Sequence, residues 1–230
     1  MRTLLLIALV GCEHGQTPPG GGDAPPSTDG ATGCLPELLI EGELIDWDSS
    51  DVAFQGVFGA RLTQNIDASV TLTTPPNGRL SFCATRSDPF QFTVDASTDD
   101  HLSGTLTIEP NVVLGGFTPL SLRTLTPARA VTFFAEQGLT FDPDAAQIVV
   151  LQTGDRGSLT LSGTHDAAQA GDDDGSGTIV WGAGATGRYV LFPNVAPSSS
   201  VQLSGDPLGP RPIPAVAGQV SLVAINFVFE

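Results

Sequence analysis

Lysine is absent from this 230-residue chain, and its nine cationic side chains are all arginines, set against 25 acidic ones. The formal net charge of −16 repels phosphate backbones and anionic headgroups, which speaks against nucleic acid as a partner. The acidic excess serves solubility first, although solvated carboxylates also attract divalent cations. Aromatic residues are scarce as well: one tyrosine and two tryptophans cannot furnish the two girdles of a membrane β-barrel. No apolar run approaches the roughly twenty residues that a spanning helix requires.

The opening residues MRTLLLIALVGC combine a positive Arg2, an apolar run from Leu4 to Val10 and the small Gly11 before Cys12. Such a run is too short to span a bilayer, so residues 1–11 are expected to be a cleaved export signal. Leu9-Val10-Gly11-Cys12 resembles the bacterial lipobox. That resemblance implies cleavage before Cys12, diacylglycerol on its sulfur, and a body held to a membrane by acyl chains. It implies the bacterial cell envelope as location. Glu13, rather than the aspartate associated with inner-membrane retention, favours the outer membrane. An ordinary secretory signal is the alternative. With Cys12 acylated, Cys34 and Cys83 remain as a pair in an oxidising compartment, and a disulfide between them is expected; two separate thiols are the alternative.

Residues 12–33 form the expected lipidated tether: positions 13–33 hold six glycines, four prolines and no large apolar side chain. Nothing there offsets the entropy of ordering, so the segment is expected to be disordered. Its reach is about 25 Å by the flexible-chain relation. From Cys34 onward, short strand-like runs are bounded by Gly, Pro, Asn and Asp. Val70 and Leu72 alternate with Ser69, Thr71 and Thr73, and Leu80 and Phe82 alternate with Ser81 and Cys83. Pro75-Pro76-Asn77-Gly78 marks a turn between these two runs. One helix is predicted, with Thr126 as N-cap, Pro127 in the first position and Gly138 beyond its end. Val131, Phe134 and Ala135 fall on its expected inner face. The closing run QVSLVAINFVFE is apolar on both faces, as in a buried strand.

IEGELIDW, GVFGARLT, PNGRLSFCA and FQFTVDAS together resemble the prealbumin-like, carboxypeptidase regulatory-like domain, with Gly42, Asp46, Gly56, Val57, Gly59, Ala60, Gly78 and Phe82 at its motif positions. TGRYVLFPNVAPSSSVQLSG resembles the ending of the same family, though the second half has no G-A-x-V segment and a long loop at 163–177. The resemblance implies an all-β chain of two tandem antiparallel β-sandwich modules, at 34–125 and 144–230, joined by a helical connector at 126–143. Modules of this kind are generally non-catalytic scaffolds or binding surfaces, some resembling carbohydrate-binding folds. The companion peptidase's His-x-x-Glu pair is missing: His14, His101 and His165 are followed at the third position by Thr17, Gly104 and Ala168.

There is no G-x-S-x-G elbow and no paired thiol and imidazole for nucleophilic hydrolysis. Asp172, Asp173 and Asp174 crowd one Gly-flanked turn, which makes them a calcium candidate, with a solvated loop as the default. An EF-hand register fails, because its first and twelfth positions would be Ala170 and Trp181. Trp47 and Trp181 lie beside acidic residues and are the candidate ligand-binding pair, as a sugar-stacking platform; core packing is the competing role. No cofactor is implied. The expected function is a lipid-anchored envelope protein, without catalysis, that scaffolds or recognises protein or glycan. A carboxylate-dependent hydrolase of envelope polysaccharide is the alternative, since paired carboxylates need only the right separation in space.

Overall fold

Alternation of apolar and polar residues explains the first layer. In β1 (Leu39–Asp46), Ile40, Gly42 and Leu44 point inward while Glu41 and Glu43 do not. In β4 (Arg79–Cys83), Leu80 and Phe82 do the same. The computed structural model describes residues 39–227 apart from 69, 84–88, 110–111, 113–119 and 206–207. The expected signal, Cys12, the tether and Cys34 lie outside the described residues. β1 pairs antiparallel with β4, placing Leu39 opposite Cys83, and parallel with β7 (Leu120–Thr124) on its other side.

Gly42, Gly56 and Gly78 occupy positions where a side chain does not fit. A Cβ on Gly42 would lie 2.7 Å from the Leu120 carbonyl oxygen. One on Gly56 would collide with the Asn77 backbone, and one on Gly78, at φ +66°, with the Leu44 carbonyl. These glycines let the 56–60 segment and the 75–78 turn close on β1, where Leu44 N–H donates to Gly78 O at 2.8 Å and Val57 N–H to Leu44 O at 2.9 Å.

Nine further strands form one large sheet: β2 (Arg61–Gln64), β3 (Thr71–Thr73), β5 (Phe90–Asp95), β6 (Gly104–Ile108), β8 (Ala146–Gly154), β10 (Gln169–Asp173), β11 (Ile179–Ala183), β12 (Tyr189–Val195) and β15 (Val220–Phe227). Their spatial order is β11-β10-β12-β8-β15-β6-β5-β2-β3. A third sheet, β14-β13-β9, comprises β9 (Leu159–Leu161), β13 (Ser198–Gly205) and β14 (Arg211–Ala215).

The all-β sandwich expectation holds, but its internal arrangement differs from two antiparallel modules. The nine-stranded sheet takes β2, β3, β5 and β6 from the first expected module and β8, β10, β11, β12 and β15 from the second. β15 joins them, running parallel to both β6 and β8. Its sequence supplies the reason, since a strand without a polar face must be covered on both sides. Val220, Leu222 and Ala224 pack with β1, β4, β7 and the helix, whereas Val223 and Ile225 pack with β9, β13 and β14. β8 splits likewise, Val149 and Leu151 going one way and Ile148 and Val150 the other. The centre of the large sheet is thus a middle layer between two smaller sheets.

Helix α1 (Pro127–Glu136) starts as predicted, with the Thr126 side chain accepting from Arg129 N–H at 3.1 Å and Pro127 in the first turn. Its buried residues are Ala130, Phe133 and Phe134. Val131, expected inside, is 56% exposed, because the two adjacent phenylalanines bury more apolar area and set the rotation of the helix.

Candidate functional site

The turn that leaves β1 is held by its own polar side chains. Asp46 Oδ1 accepts the Asp48 N–H at 2.9 Å, Ser49 Oγ accepts the Gln55 N–H at 3.0 Å, and Ser50 Oγ accepts the Ala53 N–H at 3.2 Å. Arg123 of β7 braces the same turn from beneath. Its Nη1 donates to the carbonyls of Trp47 at 2.8 Å and Ser49 at 2.7 Å, and its Nη2 donates to Gly177 at 3.2 Å in the β10–β11 hairpin. Arg123 is 5% exposed, and its guanidinium carbon lies 5.5 Å from the Tyr189 ring centroid. Its charge therefore meets carbonyl dipoles and a π face, while Glu43, Asp51 and Asp173 line a cavity of about 80 Å³ that it also borders.

With the turn and the hairpin fixed together, Trp47 and Trp181 meet. Their rings stack with centroids 4.7 Å apart at 12°. Phe133 of α1 meets both edge-on, at 5.0 Å and 5.4 Å. Trp181 also covers its cross-strand partner Gly171, where an added Cβ would sit 3.0 Å from the indole. Trp47 is only 2% exposed, with one face against Trp181, so it is a core residue and not an open stacking platform.

Beside these rings lies a pocket of about 280 Å³. Trp47, Phe133, Ile179 and Trp181 form its apolar wall, and Asp48, Ser49, Glu136, Gln137 and Thr178 provide polar groups. Arg129 crosses it. Nε and Nη2 donate to the two Asp48 carboxylate oxygens at 2.6 and 2.9 Å, and Nη1 and Nη2 donate to Glu136 at 3.0 and 3.1 Å. Nη1 also donates to Thr132 Oγ1 at 3.1 Å, so every one of the five guanidinium N–H donors has an acceptor. Hydrogen bonds to Asp48 above all, and then to Glu136, raise the pKa of Arg129 beyond its already high value. The saturated arginine has no donor left for an anion. What the rim still offers is carboxylate acceptors together with the Ser49 and Thr178 hydroxyls and the Gln137 amide, which donate as well as accept.

His101, after the short 3-10 turn Ser97–Asp99, reaches the back of the site. Its Nε2 lies 3.0 Å from Asp46 Oδ2 and its Nδ1 2.7 Å from the Asp99 carbonyl oxygen. Burial works to raise the Asp46 pKa, but the hydrogen bonds from His101 and the Asp48 backbone outweigh it, and the net direction is down. Burial works to lower the His101 pKa, and the bonds to Asp46 and Asp99 reverse it, so the net direction is up.

The three acidic residues of the 171–177 loop take separate partners. Asp172 pairs with Arg156 and accepts the Arg188 N–H at 2.9 Å. Asp173 accepts the Gly175 and Gly177 N–H groups at 2.7 and 3.0 Å, and Asp174 accepts from Ser176 N–H and Oγ at 2.8 and 2.7 Å. Among the described residues no group of three or more His, Cys, Asp or Glu side chains is placed to hold a metal ion. Cys83 ends β4 in register with Leu39; its expected partner Cys34, like Cys12, lies outside the described residues.

Sequence reasoning paired the two tryptophans by their acidic neighbours but missed Arg123, Arg129, Phe133, Glu136 and His101. One signal was available: Arg129 and Glu136 are seven residues apart, two turns along one helix face. The buried Arg123 carried none.

No family model matches the sequence, and no curated protein matches it. Among solved structures, the Bacillus anthracis TIE protein is similar over 83% of this chain and 34% of its own, with 7% identity and a TM-score of 0.26. This chain thus spans about a third of that protein. The major pilin from Streptococcus pyogenes is similar over 84% of this chain and 99% of its own, with 10% identity and a TM-score of 0.23. Both neighbours are β-rich, and scores this low assign neither fold family nor function.

Proposed function

We propose that this chain is a lipid-anchored envelope protein, held by Cys12 and a 12–33 tether, whose body recognises a small neutral glycan without catalysis. The observation that carries the ligand reading is the pocket beside Trp47 and Trp181. It sets the partly exposed Trp181 and Ile179, backed by the buried Trp47 and Phe133, against a polar rim, the complement of a sugar ring with one apolar face and peripheral hydroxyls. At about 280 Å³ it lies just below the range of drug-sized ligand sites, so it suits one sugar residue of a chain. The acidic surface disfavours anionic glycans.

The carboxylates of the pocket support binding over hydrolysis. Asp48 and Glu136 are both engaged by the same guanidinium, Arg129, whereas glycoside cleavage needs two carboxyl groups free to face the scissile bond from either side. The resemblance to carboxypeptidase regulatory-like modules belongs to this proposal on the motif glycines of the first half. The test is calorimetric titration with chitotriose, cellotriose and maltotriose, in wild type and in Trp181→Ala. Binding of one of them, lost in the variant while its amide-I infrared strand signature is unchanged, is the expected result. Absence of binding by all three, or binding that survives Trp181→Ala, overturns the ligand reading. Release of the protein from membranes in Cys12→Ser tests the anchor, and unchanged detergent partitioning refutes it.

A further inference from the structure

We infer that His101 is a pH-operated pin on the aromatic pocket: as an imidazolium it fixes the 46–51 turn that supplies Trp47, Asp48 and Ser49, and on losing its proton it releases that turn. That the pin regulates ligand binding rests on the pocket being the binding site; the pin itself does not.

Hydrogen-bond chemistry assigns the protonation state. Nδ1 faces a backbone carbonyl at 2.7 Å and Nε2 a carboxylate oxygen at 3.0 Å, and both partners only accept. A neutral imidazole has one N–H, so only the doubly protonated ring satisfies both contacts. A neutral His101 that keeps its bond to the Asp99 carbonyl turns a lone pair toward Asp46 Oδ2, and the contact becomes repulsive.

Asp46 is what transmits the loss. One of its oxygens takes His101, and the other accepts the Asp48 N–H at 2.9 Å. Asp48 in turn holds Arg129 through both carboxylate oxygens at the pocket rim. Trp47 lies between Asp46 and Asp48, so a displaced Asp46 disturbs the ring stack and the Arg129 latch together. The charged groups facing the His101 ring are both acidic: Asp46 from the end of β1, and Asp99 from its own turn, with a carboxylate oxygen 3.6 Å from Nδ1. Asp99 also accepts the Phe58 N–H at 3.2 Å. The cation on α1, Arg129, is committed to Asp48 and Glu136, and the end of β7 meets the neighbouring Leu102 through uncharged groups, Thr124 Oγ1 donating to the Leu102 carbonyl at 3.3 Å and the Leu125 carbonyl just beyond the strand accepting the Leu102 N–H. The imidazole is shielded, its side chain 7% exposed.

The sign follows. A raised His101 pKa means the pin is complete below the ordinary value of 6.5 and is lost as pH rises through the higher folded value. The Asp46 side, with its lowered pKa, fails only in acid, as pH falls through a value under 3.8.

Both tryptophans of the chain are in the stack, so its exciton couplet in circular dichroism reports the pocket directly. In wild type the couplet should weaken as pH rises, with a midpoint above 6.5 that matches His101 deprotonation seen by nitrogen-detected NMR. His101→Gln presents an amide N–H at every pH and should hold the couplet constant. Asp46→Asn should bring the NMR midpoint of His101 below that of wild type. A wild-type couplet that does not change with pH, or a transition that persists in His101→Gln, overturns the pin. Titration of the same three trisaccharides at about pH 6 and about pH 8.5 should show about fivefold weaker binding at the higher value, the lower end of ordinary coupling. Equal binding with the couplet transition intact overturns the regulation. No binding at either pH overturns the glycan reading and leaves the pin standing.

Discussion

Replacing Arg123 with methionine tests whether one buried guanidinium holds three parts of the molecule together. The variant keeps the volume and apolar stem but removes the donors to the Trp47, Ser49 and Gly177 carbonyls. Hydrogen bonds from a charged donor contribute about 1.5 kcal/mol or more each, so three lost bonds amount to about 4–5 kcal/mol. Methionine avoids the cost of burying a charge, which returns some of that, and a net loss of about 3 kcal/mol is expected. For a domain of this size such a loss lowers the melting temperature by roughly 6–12 °C. Arg123→Lys, which offers a point charge without the planar fork, should fall between the two. Urea unfolding followed by tryptophan fluorescence gives the numbers. The reasoning fails if Arg123→Met unfolds within about 1 kcal/mol of wild type, or if it loses stability while its Trp47–Trp181 couplet stays at full strength.

Gly78→Ala should destabilise by more than about 1 kcal/mol, since both the positive φ and the Leu44 carbonyl oppose a side chain; a melting temperature equal to wild type would show that the 75–78 turn relaxes freely. Non-reducing peptide mapping should recover Cys34 joined to Cys83, a bridge worth about 4 kcal/mol in the chain-entropy model, and two alkylatable thiols would dispose of it. Millimolar calcium is expected to leave the melting temperature unchanged, because Asp172, Asp173 and Asp174 already have separate partners; a rise abolished by Asp172→Asn with Asp174→Asn would restore the loop as a cation site.

Local features were legible wherever a few adjacent residues decide the outcome. The alternation of Leu80 and Phe82 named the inner face of β4, and Thr126 with Pro127 named the start of α1. The two-sided apolarity of residues 219–227 correctly marked a buried strand, but not which strands would flank it. Pairing partners such as Val220 with Gly104 and Gln147 are distant in sequence and leave no periodic signal. The rotation of α1 was misread because Val131 fits the helical period about as well as Phe133, and only the space beside the tryptophans separates them. The site was half legible for the same reason: acidic neighbours flagged Trp47 and Trp181, whereas the latch and brace around them depend on β7 and α1 lying where they do.

The place of β15 in the large sheet bears on how the chain reaches its native state. This strand is synthesised after both of its neighbours, so β6 and β8 expose unpaired edges until it arrives, and such edges template pairing with other chains. Contacts of such long range make folding slow, and the waiting intermediate is the species that a chaperone would have to shield. Once inserted, β15 ties the strands before the helix to those after it. Neither half can then melt while the other stays intact, and a single cooperative transition replaces the two that a tandem array would give.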